Sequence, residues 1–316
     1  MNLDNLNLFD VAIIGAGVAG LYAVYCCGVA GLDVCIIEAL GRVGGQCKAL
    51  YPEKKVYGVP GFIDETACAF IEKLTVQCLA YAKEKLFSQK VTMVSKTDDF
   101  FKIETSKTTV FAKHIIIASG IGEMTPNAPN IKGLTETNSE FVQYYCMKTD
   151  LYKGKLVIVA GGGDSAVDLA INISSFAKKI FLIHRREALA CEPCKLKDLE
   201  HLASHGKLEI ILDTLIEEVD SARKIVKTNK REFSVDYIVF CYGFRANGSL
   251  IQGLENLGVE FENNLIKIDI NTLMTTTKNC YAIGDAVTYE NKKKNIVSCF
   301  FEADRAARHI VKWRKR

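Results

Sequence analysis

The sequence predicts an α/β fold of two Rossmann-like domains, one inserted in the other. Three observations carry this expectation. A strand, a glycine loop, a helix and a second strand follow one another near the N-terminus; the same series recurs in the middle of the chain; and the last segment begins no third copy.

The first copy is "FDVAIIGAGVAGLYAVYCCGVAGLDVCIIEA". A β-branched run leads into Gly15-x-Gly17-x-x-Gly20, a helix follows, and a second apolar strand ends at Glu38. Gly15 allows the tight turn, Gly17 lets backbone approach a pyrophosphate, and Gly20 lets helix and strand pack closely. The free N–H groups at the helix start then suit phosphates. Glu38, 23 residues beyond Gly15, is placed to accept hydrogen bonds from an adenosine ribose diol. Val11 to Leu32 is also an uncharged run of 22 residues, long enough to span a bilayer. Gly15, Gly17 and Gly20 interrupt it and favour a buried strand, turn and helix instead.

The second copy is "KLVIVAGGGDSAVDLAINISSFAKKIFLIHRRE". It carries Gly161-x-Gly163-x-x-Ala166, with Asp164 and Ser165 opening the helix, and His184 lies 23 residues beyond Gly161. The chemistry at that point is reversed. A carboxylate repels a 2′-phosphate, whereas His184, Arg185 and Arg186 suit the 2′-phosphate of NADP. Each copy is followed by alternating strands joined by polar turns and a strand running into glycine, "DDFFKIETSKTTVFAKHIIIASG" and "RKIVKTNKREFSVDYIVFCYG". The segment after Gly243 ends in "NCYAIGDAVTYE", where Asp285 suits a hydrogen bond to a polyol chain. The expected domains are therefore 1–122, 123–246 and 247–316, the outer two forming one unit.

The bulk numbers exclude several classes. With 316 residues, 49% of them hydrophobic, each domain can bury a core. A net charge of +3 is too small to argue for nucleic acid. Twelve cysteines lie mostly inside apolar runs without disulfide spacing, and five histidines are scattered, so neither a disulfide framework nor a metal site is expected. The start "MNLDNLNLFD" has two acids and no basic region, which argues against a secretory signal and for a cytoplasmic, non-membrane protein.

With GAGVAG and Glu38, GGGDSA and HRR, and AIGD in place, nearly the whole chain resembles the two-dinucleotide-binding-domain flavoprotein reductases. "GGQCKALYPEKKVYGVPGF", residues 44–62, narrows the likeness to the thioredoxin-reductase-like type of ferredoxin–NADP reductase. The resemblance implies an FAD domain with an inserted NADPH domain. FAD would be held by Gly15, Gly17, Gly20, Glu38, Gln46, Tyr51, Val91, Met124 and Asp285, with Tyr51 stacked on the flavin. NADPH would be held by Gly161, Gly163, Asp164, Ser165, His184, Arg185 and Arg186. It further implies hydride transfer to flavin, single-electron release to ferredoxin or flavodoxin, no protein acid, base or nucleophile, and a homodimer. Relatives commonly have an acid where this chain has Gly58, and often an extension beyond the last helix, where this sequence reads "ARHIVKWRKR".

Cys191-Glu-Pro-Cys194 is the only C-x-x-C, a spacing that can mark a redox dithiol or a metal pair. Thioredoxin reductases carry theirs just before the second glycine motif, where this chain has Cys146 alone. We therefore expect C-E-P-C to be a surface or helix-start element. The competing readings are a thioredoxin-reductase-like disulfide reductase and a non-enzymatic flavin redox sensor. Lys292–Lys294 and the tail Lys312, Arg314, Lys315 and Arg316 are the candidate surfaces for steering an acidic carrier.

Overall fold

A computed structural model describes residues 7–97, 99–134, 139–144, 149–247 and 249–314. The chain divides into two compact units: Met1–Met124 with Ala246–Arg316, and Thr125–Arg245.

The first unit opens with β1 (Leu8–Ile14), α1 (Val18–Val29), β2 (Val34–Ile37), α2 (Gly45–Leu50) and α3 (Ala67–Leu79). Then come β3 (Glu84–Leu86), β4 (Val91–Lys96), β5 (Phe101–Thr105) and β6 (Thr109–Ile117). The uncharged run Val11–Leu32 is thus most of a 7-residue strand, a turn and a 12-residue helix. It is apolar all round because the core formed with α3 and the last helix of the chain buries most of it. No described helix is long and apolar enough to cross a membrane. α3 shows the ordinary pattern: Thr66 caps it by accepting from the Ala69 N–H at 3.2 Å, and Ala67, Phe70, Ile71, Leu74 and Cys78 form its buried stripe.

At β7 (Glu123–Pro126) the chain passes into the second unit. There β8 (Val142–Gln143), β9 (Leu156–Ala160), α4 (Asp164–Ile173), β10 (Lys179–Ile183), α5 (Pro193–Ser204) and β11 (Leu208–Ile211) follow in order. An antiparallel trio, β12 (Ile216–Asp220), β13 (Ile225–Thr228) and β14 (Glu232–Ser234), precedes β15 (Tyr237–Phe240). The main sheet, β11-β10-β9-β15-β8, is parallel throughout. Its central strands β9 and β15 read as continuous apolar runs because both faces are covered.

β16 (Phe244–Asn247) pairs with β7 as the chain returns to the first unit. α6 (Ser249–Asn256), β17 (Phe261–Glu262), β18 (Leu265–Lys267), β19 (Cys280–Ala282), β20 (Val287–Thr288) and α7 (Ile296–Arg314) complete it. Its sheet runs β3-β2-β1-β6, all parallel; β6 then pairs with β5 along its first half and with β19 along Ile115–Ile117. In each unit the first strand of the repeat has its successor on one side and a late strand on the other. Such a reversal of strand order opens a crevice at the carboxyl ends, where ligands of this fold class bind.

Candidate functional site

The first glycine loop is shaped by two contacts that admit no side chain. Gly15 has φ +106°, and a Cβ at Gly20 would stand 1.9 Å from the Gly15 carbonyl oxygen. Gly17 caps α1, and no acid occupies the first turn, so the helix N-terminus faces the loop without a competing anion. Glu38 is 9% exposed and accepts from the Ala16 N–H at 2.7 Å and the Leu40 N–H at 2.8 Å. A carboxylate has about four acceptor sites. Two remain for a ribose diol, so loop and acid fit a dinucleotide.

Beyond the carboxyl ends of β1, β6 and β19, side chains distant in sequence converge. Gln46, on α2, donates to Asp285 at 3.2 Å. A Cβ at Gly120, in the turn after β6, would lie 3.5 Å from the Gln46 amide nitrogen. Cys47 and Cys299 adjoin this pair; burial first and the Asp285 charge second push their thiols up, to about 11 and about 12. Both stay protonated near neutral pH, so neither is an activated thiolate. Tyr51 ends α2, half-buried, with the Lys54 ammonium 5.6 Å from its ring centre. The Val91 side chain is core, so only its backbone, at the start of β4, can face a ligand. Met124 lies on β7, and its side chain falls outside the described residues.

The second unit repeats the first loop's backbone bonds. Gly15 donates to Ile37 at 2.8 Å and Gly161 to Ile183 at 3.0 Å; Ala118 donates to Ile14 and Cys241 to Ala160 at the matching positions. Gly163 caps α4, whose first turn holds Asp164, with Ser165 next. Lys195 lies 2.9 Å from Asp164 and 2.8 Å from Asp168, tying α5 to α4. Burial opposes its charge, but the two hydrogen bonds outweigh that and its pKa is raised. The His184 ring lies against the loop, since a Cβ on Gly162 would be 2.4 Å from it. Burial, then Arg186 and Arg185, hold its pKa below the usual histidine value. Arg185 and Arg186 are exposed, without an ion-pair partner among the described residues.

C-E-P-C is the start of α5: Glu192 caps the helix and Pro193 is its first residue. Cys191 is half-buried, Cys194 exposed, and both are free. The motif runs beside the second glycine loop, because Ala190 donates to the Gly162 carbonyl at 2.7 Å. Cys146 lies outside the described residues. Among those described, no three His, Cys, Asp or Glu gather in a way that could hold a metal ion.

The basic run needs a correction. Lys293 and Lys294 are exposed, but the Lys292 side chain is 6% exposed and ion-paired with fully buried Glu302. Glu302 also accepts from the Gly284 N–H and the Tyr289 hydroxyl, each at 2.6 Å. Sequence reasoning missed this group. Its signal was a lone acid on the apolar stripe Cys299, Ala303, Ala306 and Ile310 of α7. In the tail, Lys312 is exposed; Lys315, Arg316 and the Arg314 side chain lie outside the described residues.

Residues 9–303 match the family model for pyridine nucleotide-disulphide oxidoreductases. A protein of Anaplasma phagocytophilum (strain HZ) named ferredoxin–NADP reductase is 36% identical, covering 98% of this chain and 93% of its own length. Another of that name, from Wolbachia pipientis subsp. Culex pipiens (strain wPip), is 35% identical over 96% and 93%. Among solved structures, T. acidophilum thioredoxin reductase shares the fold, with a TM-score of 0.86 over 98% of this chain and 99% of its own, at 24% identity.

Proposed function

The chain belongs to the pyridine nucleotide-disulphide oxidoreductase family, and from that premise we propose that it is an FAD-dependent enzyme moving electrons between NADPH and ferredoxin or flavodoxin. The observation that carries this reading is the pair of matching loops with opposite chemistry at the same station, Glu38 in one unit and His184-Arg185-Arg186 in the other. Its nearly full-length likeness to proteins named ferredoxin–NADP reductase supports the choice of acceptor.

Bound FAD supplies acceptance of a hydride from NADPH and release of electrons one at a time. The chain's residues bind and align. Gly15, Gly17 and Gly20 leave room for the FAD pyrophosphate at the start of α1, and Glu38 takes the ribose hydroxyls with its free lone pairs. Asp285 and Gln46, already joined, hold the ribityl end; Tyr51 stacks on the ring, and the Val91 backbone and Met124 complete the lining. Gly161, Gly163, Asp164 and Ser165 frame the NADPH pyrophosphate, and His184, Arg185 and Arg186 take its 2′-phosphate. Hydride transfer needs near-contact of about 3–3.5 Å between the reacting atoms, so alignment is the protein's contribution.

A homodimer and a cytoplasmic location belong to the same proposal. No disulfide joins the eleven described cysteines, which suits a reducing compartment. The test is NADPH-driven reduction of ferredoxin, coupled to cytochrome c, beside insulin reduction through thioredoxin. Brisk ferredoxin turnover is expected; thioredoxin turnover without it overturns the reading.

A further inference from the structure

Glu302 shares no hydrogen bond or ion pair with the described residues assigned to either cofactor, yet it is the most deeply buried charge among those described, at 0% exposure. One oxygen accepts from the Gly284 N–H, and the other from the Tyr289 hydroxyl and Lys292. Three donors spread over Gly284 to Lys292 therefore meet on one carboxylate of α7. A buried ion pair is a poor device for stability alone, because desolvation of both ions offsets much of their attraction, and apolar residues of equal volume often serve as well. What hydrocarbon cannot do is accept the Gly284 N–H. That group opens the short turn Gly284–Ala286, with φ +76° at Gly284, and the next residue is Asp285, bonded to Gln46.

We propose that Glu302 is a positioning residue for the flavin site, fixing the Gly284–Asp285 turn through the Gly284 N–H, with Lys292 and Tyr289 holding its carboxylate in register. This rests on the reading of Asp285 as a flavin contact. Tyr289 is suited to its part: burial, then its hydrogen bond to Glu302, raise its pKa, so it remains a donor. Lys292 supplies the counter-charge from inside the core rather than from the surface run. The turn is thus set before the cofactor arrives.

The test separates the acceptor from the charge. Glu302→Gln with Lys292→Met removes both charges but keeps an oxygen for Gly284; Glu302→Leu with Lys292→Met removes the oxygen too. Flavin-free proteins are titrated with FAD by fluorescence quenching. The first variant should bind within about threefold of wild type. The second should bind at least tenfold more weakly, about 1.4 kcal/mol, with altered visible circular dichroism of the flavin. Equal affinity in both, or equal loss in both, overturns the proposal. Should the leucine variant not fold, hydrogen exchange of the wild-type apoprotein decides: slow exchange at Gly284 upholds a preset turn, and exchange within seconds overturns it. Wild-type apoprotein that takes up no FAD defeats the flavin assignment instead, and the exchange measurement still judges Glu302.

Discussion

Glu38 and His184 hold the same station in two separate sheets. Each follows the second strand of its repeat and donates its backbone N–H to the next strand, Glu38 to Leu86 at 2.9 Å and His184 to Ile211 at 3.0 Å. The backbones match while the side chains carry opposite chemistry, and the arginines that follow His184 face solvent. Arg185→Ala and Arg186→Ala should each raise the KM for NADPH about tenfold or more, from charge-assisted bonds of roughly 1.5–3 kcal/mol. The KM for NADH, which has no 2′-phosphate, should hardly move. Steady-state ferricyanide reduction with both nucleotides measures this, and equal losses with both reject the assignment.

Cys191→Ser with Cys194→Ser should leave ferricyanide and ferredoxin-linked activities within about twofold of wild type. Both thiols are free, and the motif's backbone serves as the cap of α5. Because Cys191 packs against the core of the second unit, serine there should cost about 1 kcal/mol of stability. A double variant that keeps its flavin but loses NADPH-driven turnover makes the dithiol functional after all.

The lysine run splits into two roles. Lys293→Gln with Lys294→Gln should slow ferredoxin reduction several-fold at low salt, and the difference should fade as salt screens exposed charges over about 8–10 Å. NADPH reduction of the flavin should not change. Lys292→Gln should act differently: it leaves Glu302 buried without its counter-ion, a loss on the order of 3–5 kcal/mol, seen in Tm at every ionic strength. Stopped-flow rates against salt, beside thermal melts, distinguish the two. A salt-dependent rate defect in Lys292→Gln with wild-type Tm contradicts the buried pair.

His114 should make the protein acid-sensitive. Burial lowers its pKa from 6.5 to about 4, with Asp10 opposing and Lys113 reinforcing, and its buried Nδ1 has no hydrogen-bond partner among the described residues. The native state resists protonation that the unfolded chain accepts. Its contribution is therefore complete above the unfolded pKa and is lost as pH falls from 6.5 toward 4. His114→Leu should reduce the fall in Tm across that window by a few degrees. Melts at pH 7, 5.5 and 4.5 provide the check; an unchanged slope rules His114 out.

The loops were legible because their demands are local. Only glycine can stand at Gly15 and Gly20, and the acid or the basic trio must follow at a fixed distance along the second strand. Asp285 was legible for the same reason, as an acid after a strand and a glycine. Its bond to Gln46 was not, since 239 residues separate them and only the strand order brings them together. Glu302 and Lys292 stayed hidden for a different reason. Charges on a helix and in a lysine run are ordinarily solvated, and nothing in spacing distinguishes Lys292 from Lys293.

The place of β19 bears on how the molecule is made. Ile115–Ile117 wait for Cys280–Ala282, and α1 waits for α7, so the outer unit cannot close until β19 and α7 have both been made. The inner unit, Thr125–Arg245, is one continuous segment and can fold as it emerges from the ribosome, since domains generally fold as units. Until the last helix arrives, the growing outer unit exposes the apolar sheet face that α7 will cover. That interval, rather than the finished fold, is where this chain is most open to chaperones and to aggregation.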